Sequence, residues 1–184
     1  MQFLNTYKIG EKWGKYIVQQ ARTRLTKGDK NVDKKLYNSL KAEMKSGSNG
    51  FDILVSMLDY GKFQDRGVRG KNAYYADVDT SSSPYQFGSK MPPIETIAEW
   101  AKKRNIRLRN DKGQFAKGNY NSIGYVLARG IQDKGIKASM FLTRSYRLSF
   151  AWVEGQLLQA IGQDVADDIR KTARQVEKNQ NKKE

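Results

Sequence analysis

The chain has 184 residues, 38% of them hydrophobic and 29% charged, with a net charge of +15 and neither cysteine nor histidine. That excludes disulfides, thiolate chemistry and sulfur-bound metals, and it removes the commonest general base and zinc ligand, so Ser-His-Asp and Cys-His catalysis are impossible. No stretch approaches the roughly 20 apolar residues that span a bilayer, and MQFLNTYKIGEKW at the N-terminus lacks the apolar run of a signal peptide, so assembly in a cytoplasm is expected.

The first predicted element is an amphipathic helix from Ile9 to about Lys27. Ile9, Trp13, Ile17, Ala21 and Leu25 recur every fourth residue, charged residues occupy the other faces, and Gly28 can end it. Leu36, Leu40, Ala42 and Met44 then fall at even positions, SGSNG (46–50) is turn chemistry, and Phe51, Ile53, Val55 and Met57 alternate again. Two alternating runs about such a turn predict an antiparallel hairpin, although Asp33 to Leu40 also fits a helical turn. Trp13 and Ile17 are expected to pack on the face of Leu40, Ala42, Ile53 and Val55.

LDYGKFQDRG fits a short helix that carries Leu58 and Phe63 inward. Beyond Gly70 no period is visible for over 20 residues, and loops of that length are usually functional or order on binding. An irregular segment that is functional or orders on binding is therefore expected at about 70–92. Pro92 and Pro93 start a helix running to about 104, with Ile94, Ile97, Ala98 and Ala101 on one face. IRLRNDKGQFAKG follows as a small exposed hairpin. Asn121 is a candidate cap for a helix over 121–134, in which Gly124 and Ala128 invite close packing and Gly135 closes the C-terminus.

The last helix is expected over 148–178. Phe150, Val153, Leu157, Ile161, Val165, Ile169, Ala173 and Val176 give it more apolar positions than one helix of a small domain buries, which leaves part of the stripe for another subunit. The predicted fold class is α+β: an antiparallel sheet packed against the N-terminal helix, with further helices, in a single domain over 1–178 followed by a polar tail, 179–184.

The positive charge lies in two blocks. Residues 1–50 carry 11 basic and 4 acidic residues, and residues 101–150 carry 12 and 2. Seven bases and one acid, Asp111, fall between Lys102 and Lys117: Lys102, Lys103, Arg104, Arg107, Arg109, Lys112 and Lys117. Such a cluster is either a solvated face or a surface that meets a polyanion or an acidic partner. No phosphate loop is present and no GxGxxG follows a strand. Asp52, Asp59, Asp65, Asp77 and Asp79 are loosely spaced and read as surface and turn residues rather than as a two-metal nuclease site. No cofactor, metal, membrane or small-molecule substrate is implied. Tyr74, Tyr75, Tyr85 and Phe87 suit packing better than base stacking, because few cations lie among them.

LDYGKFQDRGVRG after two alternating strands, then SPYQFGSKMPPIETIAEWAKKRNI, then SIGYVLARGIQDKGIKASMFLTRSY form an ordered set. This set resembles the neck, or tail-completion, proteins that join the DNA-filled head of a tailed bacteriophage to its tail. The likeness covers roughly Leu36 to Tyr146; the long final helix and the 107–117 hairpin are less typical of that family. The resemblance implies a non-enzymatic virion protein at the head–tail junction, a homo-oligomeric ring around the DNA channel between portal and tail proteins. It implies that the irregular segment at about 70–92 is an interface arm, and it implies subunit-interface roles for Tyr60, Phe63, Arg69, Tyr74, Tyr75, Tyr85 and Phe87, aromatics being frequent interface anchors. A cationic collar would resist sliding DNA through salt-dependent phosphate binding, so the basic cluster is expected to face an acidic surface of the next ring rather than the channel. The alternative is a basic DNA- or RNA-binding protein.

Overall fold

The computed structural model describes residues 3–47, 50–72, 83–116 and 118–181. Its architecture is α+β, as expected. The described elements are helices α1 (Leu4–Lys27), α2 (Lys35–Ser39), α3 (Gly61–Arg66), α4 (Ile94–Lys103), α5 (Tyr120–Lys134) and α6 (Phe141–Gln180), with strands β1 (Lys41–Gly47), β2 (Gly50–Ser56), β3 (Val68–Arg69) and β4 (Gly135–Ile136). No helix among the described residues is long and apolar enough to cross a membrane. The chain divides into two compact units. The first comprises Met1–Thr23, Ser39–Met57 and Leu142–Glu184, and the second Arg24–Asn38 and Leu58–Phe141.

In the first unit β1 and β2 form an antiparallel hairpin, from Lys41 opposite Ser56 to Gly47 opposite Gly50. Register places Ala42, Met44, Phe51, Ile53 and Val55 on one face, since side chains alternate along a strand, and these are the half-covered positions. Helix α1 lies close on that face because Gly10 and Gly14 present no side chain to it. A methyl group at Gly14 would stand 3.1 Å from Ala42 Cβ and 3.2 Å from Ile53 Cγ2. Trp13, Ile17 and Val153 form the core, with Ile9, Ile53, Val55, Leu142 and Leu157 packed around them. The expected packing of the helical stripe on the hairpin is thus found for Ile53 and Val55.

Two boundaries in this unit differ from expectation, and polar burial is the reason for both. Helix α1 starts at Leu4 because Asp164 of α6 holds its first turn. The Asp164 carboxylate, only 3% exposed, accepts from the backbone N–H groups of Asn5 and Thr6 at 2.9 Å. It also accepts from the Asn5 amide at 2.9 Å and the Thr6 hydroxyl at 2.7 Å. This is an N-cap supplied from far along the chain. Helix α6 starts at Phe141 rather than near 148, and between the buried Phe141 and Val153 its buried face consists of serines. Ser145 and Ser149 are both buried, and Ser149 Oγ accepts from Trp13 Nε1 at 2.8 Å. An apolar period does not register such positions.

In the second unit α4 and α5 pack through small residues. A Cβ at Gly124 would lie 2.7 Å from Ile94 O and 2.8 Å from Ala98 Cβ, and Ala98, Ala101 and Ala128 are buried. The cap of α5 is Asn119 rather than Asn121, its side chain accepting from Ser122 N at 2.8 Å. Gly135 ends the helix at φ +90°, as expected of glycine. The stretch from Leu36 to Ser39, for which the sequence left a strand and a helical turn open, is the helical turn α2, which buries Leu36; the strand begins only at Lys41. Helix α3 forms where expected, but it buries Gly61 and Asp65 while Leu58 and Phe63 remain partly exposed.

Strands β3 and β4 pair antiparallel, Val68 with Ile136 and Arg69 with Gly135. Arg69 also bridges in parallel to Gln86. Glycines permit the approach. A Cβ on Gly70 would collide with the carbonyl of Asp133, one on Gly135 with the carbonyl of Val68, and one on Gly67 would lie 2.6 Å from the carbonyl of Ile136.

Candidate functional site

Of the predicted interface residues, Tyr74 and Tyr75 lie outside the described residues, as does Lys117 of the basic cluster. Of the rest of the first set, Phe63, Arg69, Tyr85 and Phe87 meet at the β3 edge. Arg69 N donates to Tyr85 O at 2.9 Å, and Phe87 N donates to Arg69 O at 2.9 Å. Phe63 and Tyr85 meet edge to face, with ring centroids 4.7 Å apart. Ser83 is buried, and its hydroxyl donates to Gly67 O at 2.8 Å. Gln132 Nε2 bonds the carbonyls of Gly88 and Ser89 at 2.9 and 3.0 Å. The second half of the stretch read as an irregular arm, 83–89, is therefore fastened to its own unit by main-chain pairing and by the Ser83 and Gln132 side chains. Side-chain periodicity carries no trace of such pairing, because the bonding groups are the same in every residue. Tyr60 stays exposed at the N-terminus of α3.

The same module gathers the segment after β4. Ser139 N and Met140 N donate to Gln64 O and Asp65 O at 3.1 and 2.9 Å, and Ser139 Oγ donates to Gln64 O at 2.7 Å. YGKFQDRG, SPYQF and KGIKASM, distant in the chain, thus form one hydrogen-bonded module.

The basic cluster divides by role. The Arg104 guanidinium binds both the carboxylate and the main-chain carbonyl of Asp29 and lies over the Trp100 ring. Lys103 Nζ is 3.7 Å from Asp33. These two cations are partly spent inside the unit. Lys102, Arg107, Arg109 and Lys112 are exposed.

Arg107 and Arg109 stand on a ribbon at 106–116, the small hairpin expected there. Arg109 bridges antiparallel to Phe115, Ala116 N donates to Leu108 O at 3.0 Å, and Asn110 N donates to Gln114 O at 2.9 Å. Asn110 Oδ1 ties the turn by accepting from Lys112 N and Gln114 N, and Gly113 takes φ +75°. Ile106 and Leu108 are half-buried, so the alternate positions Arg107 and Arg109 point outward. Both guanidinium groups lie over the ring of Phe115, 5.6 and 4.6 Å from its centroid. Arg109 Nη1 also donates to Gly113 O at 2.9 Å. Phe115 itself is 62% exposed. Sequence inspection singled out the arginines and missed this aromatic; the signal was its position across an NDKG turn from two arginines of equal parity.

A second surface lies on the first unit. Tyr16 and Trp152 pack 5.5 Å apart while both remain exposed. Farther along α6, Ile161, Ile169 and Val176 of the expected stripe are exposed, as is Leu158 beside it. Among the described residues no group of three or more acidic side chains is placed to hold a metal ion. Asp65 is buried, and Asp77 and Asp79 lie outside the described residues.

No known family model matches the chain, and no curated protein or solved structure is found similar to it.

Proposed function

We propose that this is a structural virion protein of a tailed bacteriophage, a subunit of the ring at the head–tail junction that joins the portal side to the tail around the DNA channel. The observation that carries the reading is the module built by the three segments that resemble the family. YGKFQDRGVRG, SPYQF and KGIKASM hold one another by main-chain bonds and by the Ser83 hydroxyl, so these parts of the three segments behind the resemblance meet in one module. The exposed apolar residues of α6 add support. A row of the kind formed by Leu158, Ile169 and Val176 suits a subunit that meets neighbours better than a free monomer. The test is a phage lacking the gene. Full heads without tails, with the protein located at the junction of wild-type particles, are the expected result. Normal joined particles from the null phage overturn the proposal.

A second reading, a basic DNA- or RNA-binding protein, is favoured by the exposed Arg107, Arg109 and Lys112 on one ribbon. It predicts duplex or single-strand binding whose affinity falls steeply with salt and falls again when Arg107 and Arg109 are replaced by Glu.

A further inference from the structure

We infer that the ribbon face formed by Arg107, Arg109 and Phe115 is a docking element for an acidic protein surface, one whose carboxylates surround an apolar socket for the Phe115 ring. The inference concerns the partner of this face and stands whether or not the chain forms a ring.

Three features of the ribbon point this way. The face combines two guanidinium groups with an exposed aromatic ring, and a partner that matches both needs carboxylates beside an apolar patch. A duplex backbone supplies phosphates for the arginines and nothing for an aromatic ring exposed to 62%. Single-stranded nucleic acid supplies bases, and bases stack on free ring faces. Here the guanidinium groups of Arg107 and Arg109 lie over the ring, so a base has to displace an arginine, whereas an apolar socket can take the part of the ring left exposed. The face is also set before binding. The Asn110 turn bonds, the Leu108–Ala116 bond and the Arg109–Gly113 bond fix the ribbon, which lowers the ordering cost of association.

The experiment uses the full-length protein and four probes: poly-glutamate, a glutamate–tyrosine copolymer, a short duplex DNA and oligo-dT. Binding is measured at fixed ionic strength for wild type, Phe115→Ser, Phe115→Leu and the double variant Arg107→Glu/Arg109→Glu. The expected result is that Phe115→Ser weakens binding of the glutamate–tyrosine copolymer about tenfold, roughly the effect of one buried apolar contact. It leaves poly-glutamate and duplex DNA within about twofold, where only the cations act. Phe115→Leu keeps most of the copolymer affinity, and the double variant weakens all four probes. Three results overturn the inference: a Phe115→Ser loss larger on oligo-dT than on the copolymer, which indicates base stacking; no Phe115→Ser effect on any probe; or copolymer binding that Phe115→Leu loses as fully as Phe115→Ser.

Discussion

In the unit built on α1, the β1–β2 hairpin and α6, elements meet through side chains. Trp13 and Ile17 pack on Val153, Ile53 and Val55, and where glycine occurs, the facing atoms belong to side chains such as Met44 and Ile53. In the other unit the β3–β4 module meets through main chain. Gly67, Gly70 and Gly135 face carbonyl oxygens, and each strand is only two residues long. A side chain can turn to another rotamer, but a carbonyl fixed in a ladder has nowhere to go. The same chemical change should therefore have opposite consequences in the two units.

The sharpest contrast comes from glycine replacement. Gly135→Ala combines a positive φ with a collision against the Val68 carbonyl, and a loss of about 4 kcal/mol is expected. Urea unfolding followed by circular dichroism measures it; a loss under about 1 kcal/mol means the β3–β4 module yields as easily as side-chain packing. Next in size is Ile17→Ala. Ile17 is 2% exposed inside the side-chain core, and truncation there costs about 3 kcal/mol. Wild-type thermal stability in that variant removes the stripe-on-hairpin packing as the main support of its unit.

Asp164 gives a smaller effect with a pH signature. Burial pushes its carboxyl up, but the hydrogen bonds from Thr6 and Asn5 outweigh burial and hold it below the ordinary carboxylate range. A depressed folded value means the contribution is complete above the unfolded value, near 3.9, and is lost as pH falls through the folded one. Asp164→Asn should cost about 1–2 kcal/mol near neutral pH, the worth of an N-cap, and should flatten the loss of stability below about pH 4. Thermal melts from pH 7 to pH 2 give both numbers, and an acid limb identical to that of wild type contradicts the cap. The smallest change belongs to Gly10→Ala. The new methyl meets the mobile end of Met44, 2.8 Å from Cε, while the helix interior gains up to about 1 kcal/mol. A net change within about 1 kcal/mol is expected, and a loss as large as that of Gly135→Ala erases the distinction between the units.

What was legible followed the same line. The α1 stripe, the pairing of β1 with β2, the proline-started α4, the small residues of α5 and the ribbon at 106–116 were legible, because side chains there are buried or exposed in a period or mark a turn. The aromatic face of the ribbon was half visible, through its arginines. The first turns of α1 and α6 were hidden because buried polar residues hold them: Asn5, Thr6, Ser145 and Ser149 look like surface residues until their partners are known. The pinning of 83–89 was hidden because Arg69 bonds Tyr85 and Phe87 through main chain and because Ser83 and Gln132, which also hold the segment, look like surface residues.

By itself the sequence determined the fold class, the helical and hairpin stripes and the chemistry closed to the chain, because spacing and residue type act locally and need no partner to be read. Only the tertiary structure decided which distant segments meet. Asp164 reaches the start of α1, β4 finds β3, and Arg107 and Arg109 lie over Phe115. These contacts depend on geometry across long separations, where hydrogen-bonding groups common to every residue and glycines without side chains leave no periodic mark.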